Sequence, residues 1–480
     1  MRLFEILILV AILPVLVWPL LPWRRPGWVD FLPGTAVILL IIQLVVEGYR
    51  WQMLPAYVLV LVLFLMTLPR LRKPQSPKKK WSGWAVGGSV VGLVVWLAAL
   101  ALPYLLPVPQ LPAVTGPYAI GTQTFYLTDE SRDEIYTAAP ADKREIMAQV
   151  WYPAEPGVEG ETATSTRLSA AVYLEALDVM GPVVAERLGL PPFLLDHINL
   201  TDLGAQKDAP VLAADAPYPV LVFSHGLRGL RAQNTAMVRE LVSHGFVVAT
   251  IDHTYGNALT VFPDGRVAFY NPEVLSGVGQ PPKTSNTLVS VWAADIGFVL
   301  DQMAGWQEEA GGDFNGRLDL SKVGIFGHST GGGATVEFCG SDARCQAGVG
   351  LDAWLEPVSN EIVAAGLTQP FLFLRSDEWL GDGVSPNNAL AKTLLNGLRD
   401  TGYLATIAGS AHYDFTDIPL FSPLTAQLGI SSDMDGAYLV DMMNNMTLTF
   451  FRQELQGTGG DLAAEAAAYP EMTVERNDEG

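Results

Sequence analysis

Hydrophobic positions divide the chain in two. Before residue 107 they form long unbroken runs, at 3–23, 31–48, 53–69 and 84–106. A helix needs about 20 apolar residues to cross roughly 30 Å of hydrocarbon, with about 17 as the lower edge. The outer runs meet that length fully and the middle two at the margin, so the pattern predicts four transmembrane helices. Apart from Glu47 at the end of the second run, only Glu5 and Gln43 stand out as polar groups in them, too little for an ion or proton path. Trp18, Trp23, Trp28, Tyr49, Trp51, Trp81, Trp84 and Tyr104 cluster at the run ends, as interfacial aromatics do. A soluble bundle would need polar helix faces that these runs lack. A cleaved signal would need a small-x-small site that is missing before Arg24.

From Gln110 onward short β-branched runs alternate with amphipathic stretches, which predicts an α/β domain over 107–456. The segments 118–127 and 146–152 read as a hairpin. Near-continuous apolar runs at 218–224 and 246–252 read as strands covered on both faces. Further strands are expected at 322–327, 347–352, 370–375 and 403–407, with helices at 232–244, 286–303, 331–339 and 387–399. This order predicts a doubly wound, mostly parallel sheet. Residues 160–215 break the alternation and read as an insertion, either a lid or a piece packed on the sheet edge. Residues 457–480, acidic with an Ala-rich stretch, read as an exposed mobile tail.

Charge follows the same division. Of 29 basic and 50 acidic side chains, residues 1–106 hold 10 and 3, leaving 19 and 47 beyond them. An acidic bulk of that size disfavours nucleic-acid binding. Arg70, Arg72, Lys73, Lys78, Lys79 and Lys80 lie between the third and fourth runs with no acid among them, and Arg24 and Arg25 between the first and second. The positive-inside rule puts both loops in the cytoplasm. The expected location is an integral membrane protein of the plasma or inner membrane, its large domain extracytoplasmic. Arg2, on the outer side in this topology, is a mild conflict.

Candidate chemistry centres on Gly327-His328-Ser329-Thr330-Gly331. This G-x-S-x-G follows the buried run KVGIFG and opens a Gly-rich helix start, the context of a nucleophile elbow, in which a sharp strand-to-helix turn exposes the serine oxygen. A triad on such a scaffold runs Ser, acid, His. His412 is the one histidine in that order, because His197, His225, His244 and His253 precede Ser329 and His328 adjoins it. Two acids compete, Asp352 and Asp377, each ending a strand. The oxyanion needs two aimed N–H donors. The Thr330 amide supplies one, and the loop Ser224-His225-Gly226-Leu227 the other, with the Leu227 amide favoured. His225 itself reads as a structural loop residue. Arg228 and Arg231, beside this loop, could meet a substrate anion or form surface salt bridges. Cys339 and Cys345 can close a small disulfide in an exported domain or stay as buried thiols. With two cysteines and no nearby histidine, a metal site is disfavoured. No cofactor is expected.

The stretches YPVLVFSHGLRGLRAQNTAMVRELVSHGFVVATIDH, KVGIFGHSTGGGATVEFC, CQAGVGLDAWLEPV and GSAHYDFTDIPL resemble the plasma-type (group VII) platelet-activating-factor acetylhydrolases, within the α/β-hydrolase fold. The resemblance spans most of 118–422. It implies the triad Ser329–Asp352–His412, since the family's acid is the Asp of this Asp-Ala-Trp, and the Leu227 and Thr330 amides as oxyanion donors. It also implies release of short or oxidised acyl chains from phospholipids, without calcium. The chain departs from the family at Thr330, where an aromatic is usual, in its membrane part and in the insertion. The expectation is a membrane-embedded serine hydrolase acting on a lipid or other ester. The alternatives are a cutinase- or polyester-type esterase, an acyltransferase, or a catalytically idle sensor or scaffold.

Overall fold

The computed structural model describes residues 1–23, 25–72, 83–139, 141–156, 169–187, 189, 191–276, 287–379 and 386–477. Arg24, Lys73, the lysines at 78–80 and the first part of the insertion, to residue 168, lie outside them. The chain forms two compact units. One comprises Met1–Gln110, Gly181–Thr201 and Phe421–Leu424, and the other Leu111–Met180, Asp202–Leu420 and Thr425–Gly480.

The first unit is built on α1 (Leu3–Val17), α2 (Leu32–Val46), α3 (Leu54–Arg72) and α4 (Gly83–Leu105). Ile8, Ile12, Leu16, Ala36, Met53, Ala56, Val60 and Ala99 pack between the helices, whereas Val45, Val46, Leu61 and Val94 stand outward and exposed. All four helices are long and apolar enough to cross a membrane. The first ends earlier than the run predicts, at Val17, and tightens into a 3-10 turn at Trp18–Leu20. Pro19 has no N–H to continue the α-helical ladder. Arg50 and Glu5, both fully buried, pair at 3.3 Å. Arg50 also donates to the carbonyls of Pro103 (3.3 Å) and Leu106 (2.8 Å) at the end of α4. Arg2 pairs with Glu5 and Glu47. The segment Gly181–Thr201 from the insertion belongs to this unit, where Phe193 meets Trp51 edge-on at 5.0 Å.

The second unit holds a ten-stranded sheet. In chain order its strands are β1 (Ala119–Asp133), β2 (Lys143–Ala154), β3 (Ala205–Lys207), β4 (Tyr218–Ser224) and β5 (Val247–Asp252). After a two-stranded ribbon, β6 (Leu259–Val261) with β7 (Val267–Phe269), come β8 (Leu318–His328), β9 (Cys345–Leu351), β10 (Phe371–Ser376), β11 (Gly402–Ile407) and β12 (Met472–Arg476). The spatial order is β12-β11-β10-β9-β8-β4-β5-β2-β1-β3. Pairings from β11 through β5 are parallel. The β1–β2 hairpin is antiparallel to β5, and β12 is antiparallel to β11.

Successive side chains of a strand point to opposite faces, which explains why β4 is apolar throughout. Val220 and Val222 enter one core with α7 (Thr287–Glu308) and α8 (Thr330–Ser341). On the other face Phe223 meets Phe326 at 5.0 Å, and Phe326 meets Phe451 of the helix Gly436–Phe451 at 6.0 Å. A fifth helix is apolar enough to span a membrane, Leu288–Glu308, but it lies in this unit with Trp292, Ile296, Val299 and Met303 buried in the core.

One expectation changes. The tail is not a free segment: Leu462–Ala466 is a short helix capped by Asp461, and Met472–Arg476 pairs along β11. Its acidic composition hid a strand only five residues long, whose partner is the otherwise open edge of β11. Glu475 there faces Arg375 (3.6 Å) and Lys392 (3.4 Å). The insertion also has structure at its C-terminal end, where β3 adds to the sheet edge beside β1.

Candidate active site

The strand β8 ends in a turn that the sequence makes unusually tight. Ser329 lies at φ 54° and ψ −118°, a strained backbone for a residue with a side chain. A Cβ at Gly331 would fall 2.0 Å from the Ser224 carbonyl oxygen, so only glycine lets the start of α8 approach the end of β4 this closely. A Cβ at Gly226 would fall 2.9 Å from His328 Nδ1 and 3.2 Å from Ser329 Cβ, which seats the loop after β4 against the serine.

The structure brings Ser329, His412 and Asp352 into one line. His412 Nε2 is 3.0 Å from Ser329 Oγ, and His412 Nδ1 is 2.5 Å from Asp352 Oδ2. Asp352 is fully buried, while the His412 side chain keeps 23% of its surface exposed, enough for a substrate to reach it. Asp352 sits at φ 44°, just past β9. Its other oxygen accepts from the Ser376 amide (2.7 Å) and hydroxyl (2.9 Å), which fixes the carboxylate's rotation.

Asp377 lies elsewhere: its carboxylate accepts from the Gly409 amide at 2.8 Å. Glu378 accepts from the His412 amide at 2.8 Å. These two acids hold the backbone of the histidine loop rather than the ring. Asp414, fully buried, ties the same loop at the Ala411 amide (2.8 Å) to the Ser432 amide (3.0 Å).

The amides of Leu227 and Thr330 donate to no group among the described residues, and the close approach at Gly226 and Gly331 puts both near Ser329. The Thr330 hydroxyl is buried without a hydrogen-bond partner among the described residues. His328 spans the two halves of the site. Its Nε2 bonds the His412 carbonyl (3.0 Å) and its Nδ1 accepts from Gln233 Nε2 (2.9 Å), while Gln233 Oε1 accepts from the Gly226 amide (3.3 Å). Burial holds the His328 ring well below the ordinary histidine pKa.

The arginines beside the loop after β4 are already engaged. Arg231 is buried between Asp252 and Glu175, and the Arg228 guanidinium lies 4.3 Å from the centre of the Tyr270 ring. Cys339 and Cys345 are joined as a disulfide. Among the described residues no group of three or more His, Cys, Asp or Glu could hold a metal ion. Ser376, Glu378 and Gln233 carried no signal in the sequence, because none belongs to a local motif and each becomes relevant only when distant strand ends converge.

Comparison with known proteins agrees with this architecture. The family model described as platelet-activating factor acetylhydrolase, isoform II, matches residues 107–264 and 305–462. A platelet-activating factor acetylhydrolase of Cavia porcellus is 25% identical over 371 residues, covering 72% of this chain and 78% of its own. A bis(hydroxyethyl) terephthalate hydrolase of Streptomyces coelicolor is 28% identical over 255 residues, 48% of this chain and 74% of its own. Among solved structures, a ferulic acid esterase from Streptomyces cinnamoneus superposes with a TM-score of 0.58 at 25% identity, covering 76% of this chain and 99% of its own. The mostly parallel sheet and this esterase neighbour fit the α/β-hydrolase fold.

Proposed function

This chain belongs to the platelet-activating factor acetylhydrolase, isoform II, family of ester hydrolases, and from that premise we propose that it is a membrane-anchored serine esterase acting on lipid esters with short acyl chains. Ser329 Oγ attacks the ester carbonyl as His412 Nε2 takes its proton. The Asp352 carboxylate accepts from His412 Nδ1–H and stabilises the imidazolium that forms. The Leu227 and Thr330 amides receive the developing oxyanion at the N-terminus of α8, where the helix dipole also favours negative charge. His412 then protonates the leaving alcohol, and water, activated by the same ring, releases the acyl group from Ser329.

The observation that carries this reading is the line Ser329–His412–Asp352, at 3.0 and 2.5 Å, on a strained strand-to-helix turn. Anchoring is supported by the four apolar helices of the first unit and by the basic residues at 70–80, which the positive-inside rule assigns to the cytoplasm, leaving the hydrolase outside. A lipid substrate would then share the enzyme's own surface.

The bis(hydroxyethyl) terephthalate hydrolase and ferulic acid esterase relatives support a second reading, in which the ester is aromatic rather than lipidic. One assay series separates the two. Full-length protein in detergent is given p-nitrophenyl esters from acetyl to palmitoyl, a short-chain sn-2 phospholipid and an ethyl ferulate. The lipid reading predicts a preference for short acyl chains and for the phospholipid, and no turnover by Ser329→Ala. A clear preference for the ferulate supports the second reading, and undiminished turnover by Ser329→Ala overturns both.

A further inference from the structure

Behind the oxyanion loop lies a second Ser–His–Asp arrangement that the mechanism above does not use. Ser224, the last residue of β4, has its Oγ 2.9 Å from His253 Nε2, and His253 Nδ1 is 2.9 Å from Asp295 Oδ2. Asp295, on α7, is gripped by Arg144 through two bonds of 2.6 and 3.0 Å and by Arg132 at 2.8 Å. Ser224, His253 and Asp295 are all at 0% exposure, so no ester can reach them. The His253 ring lies flat on Trp292, 4.3 Å between centres and 5° between planes, which leaves it one orientation.

This relay ends at the peptide that carries the expected oxyanion donor. The His253 amide donates to His225 Nε2 at 3.2 Å. An amide can only donate, so Nε2 is the acceptor and the His225 proton sits on Nδ1. That Nδ1–H donates to the Gly226 carbonyl at 2.7 Å. Peptide units are planar, and the C=O of Gly226 and the N–H of Leu227 belong to one unit, pointing opposite ways. A ring that holds the carbonyl therefore aims the amide. Burial keeps His225 neutral, its pKa lowered to about 3, so its single ring proton stays committed to this bond at neutral pH.

The geometry points to His225 as a positioning residue for the Leu227 amide, itself set by the buried Ser224–His253–Asp295 relay. The inference rests on the esterase reading above and deepens it: the relay sets transition-state stabilisation and leaves substrate binding alone.

The test uses the full-length enzyme, p-nitrophenyl acetate and its thiono counterpart, in which sulfur replaces the carbonyl oxygen. Sulfur accepts hydrogen bonds poorly, so the oxo-to-thiono rate ratio reports on the oxyanion donors. Losing one aimed donor costs about 10²–10³ in kcat. Misaiming it through His225→Phe should cost about tenfold or more, with KM within about twofold and a smaller oxo-to-thiono ratio. Ser224→Ala should move both readouts the same way by less. His225→Asn, whose side-chain nitrogen can stand in for Nδ1, should keep several-fold more activity than His225→Phe. If His225→Phe does not fold, Ser224→Ala and His225→Asn carry the test through the ratio.

Folded variants with wild-type kcat and ratio, or equal loss on both esters, overturn the inference. Ser329→Ala runs alongside. If it stays active, the proposed nucleophile is wrong; if it is dead while the relay variants are unaffected, only the relay is wrong.

Discussion

At the scale of single residues, the choice between two strand-end acids decides the chemistry. Asp352 points at the His412 ring, and Asp377 at the backbone of the same loop. Asp352→Asn should therefore reduce kcat by about 10²–10⁴, as loss of the orienting carboxylate does in serine hydrolases. Asp377→Asn should stay within about tenfold of wild type, since it removes only one acceptor from a loop that Glu378 and Asp414 also hold. Steady-state kinetics on one p-nitrophenyl ester checks both.

Titration gives a second residue-scale test. His225 is buried neutral, so between its ordinary pKa of about 6.5 and its folded value of about 3 the unfolded chain binds a proton that the folded chain does not. Its contribution is complete at pH 7 and is lost as pH falls through that window. Asp417 works in the opposite sense. Burial raises its carboxyl to about 7, so above its ordinary value of 3.8 the folded chain keeps a proton that the unfolded chain releases. Stability is lost there as pH rises toward 7. Urea unfolding at pH 5 and pH 7 should show a smaller loss on acidification in His225→Asn than in wild type, and a larger one in Asp417→Asn.

The elements were unequally legible. The parallel core was plain from sequence because strands buried on both faces must be continuously apolar, as YPVLVFS is. The elbow was plain because its turn needs glycines at fixed spacing. The edge strand β12 was hidden, since Met472–Arg476 has too few apolar positions to announce itself, and its place is decided by the free edge of β11. The buried supports were hidden for a related reason: Ser376, His253 and Asp295 lie on separate elements, and their partnership exists only once the sheet is assembled.

Each feature yields a test. Gly331→Ala would place a Cβ against the Ser224 carbonyl, with backbone on both sides, so it should destabilise the domain by roughly 1–3 kcal/mol and abolish most activity. Deleting residues 471–480 would uncover the β11 edge, and the protein should unfold at lower temperature and aggregate faster in detergent. An unchanged thermal midpoint would deny β12 a structural role.

For the whole molecule, the central arrangement is an acidic hydrolase unit following an apolar helical one, with their charges of opposite sign. Anchoring predicts that the full chain resists alkaline carbonate extraction from membranes, and that protease added outside intact cells or spheroplasts reaches residues beyond 110 while the loop at 70–80 stays protected. The anchor would act by confining the enzyme to a surface where lipid esters are concentrated.

The most direct test of the account is where a covalent acyl-type probe attaches. Full-length protein treated with a fluorophosphonate and mapped by peptide mass spectrometry should carry one adduct, on Ser329. Ser329→Ala should carry none, and labelling should slow markedly in Asp352→Asn but not in Asp377→Asn. An adduct on another residue, or labelling indifferent to Ser329, would contradict it.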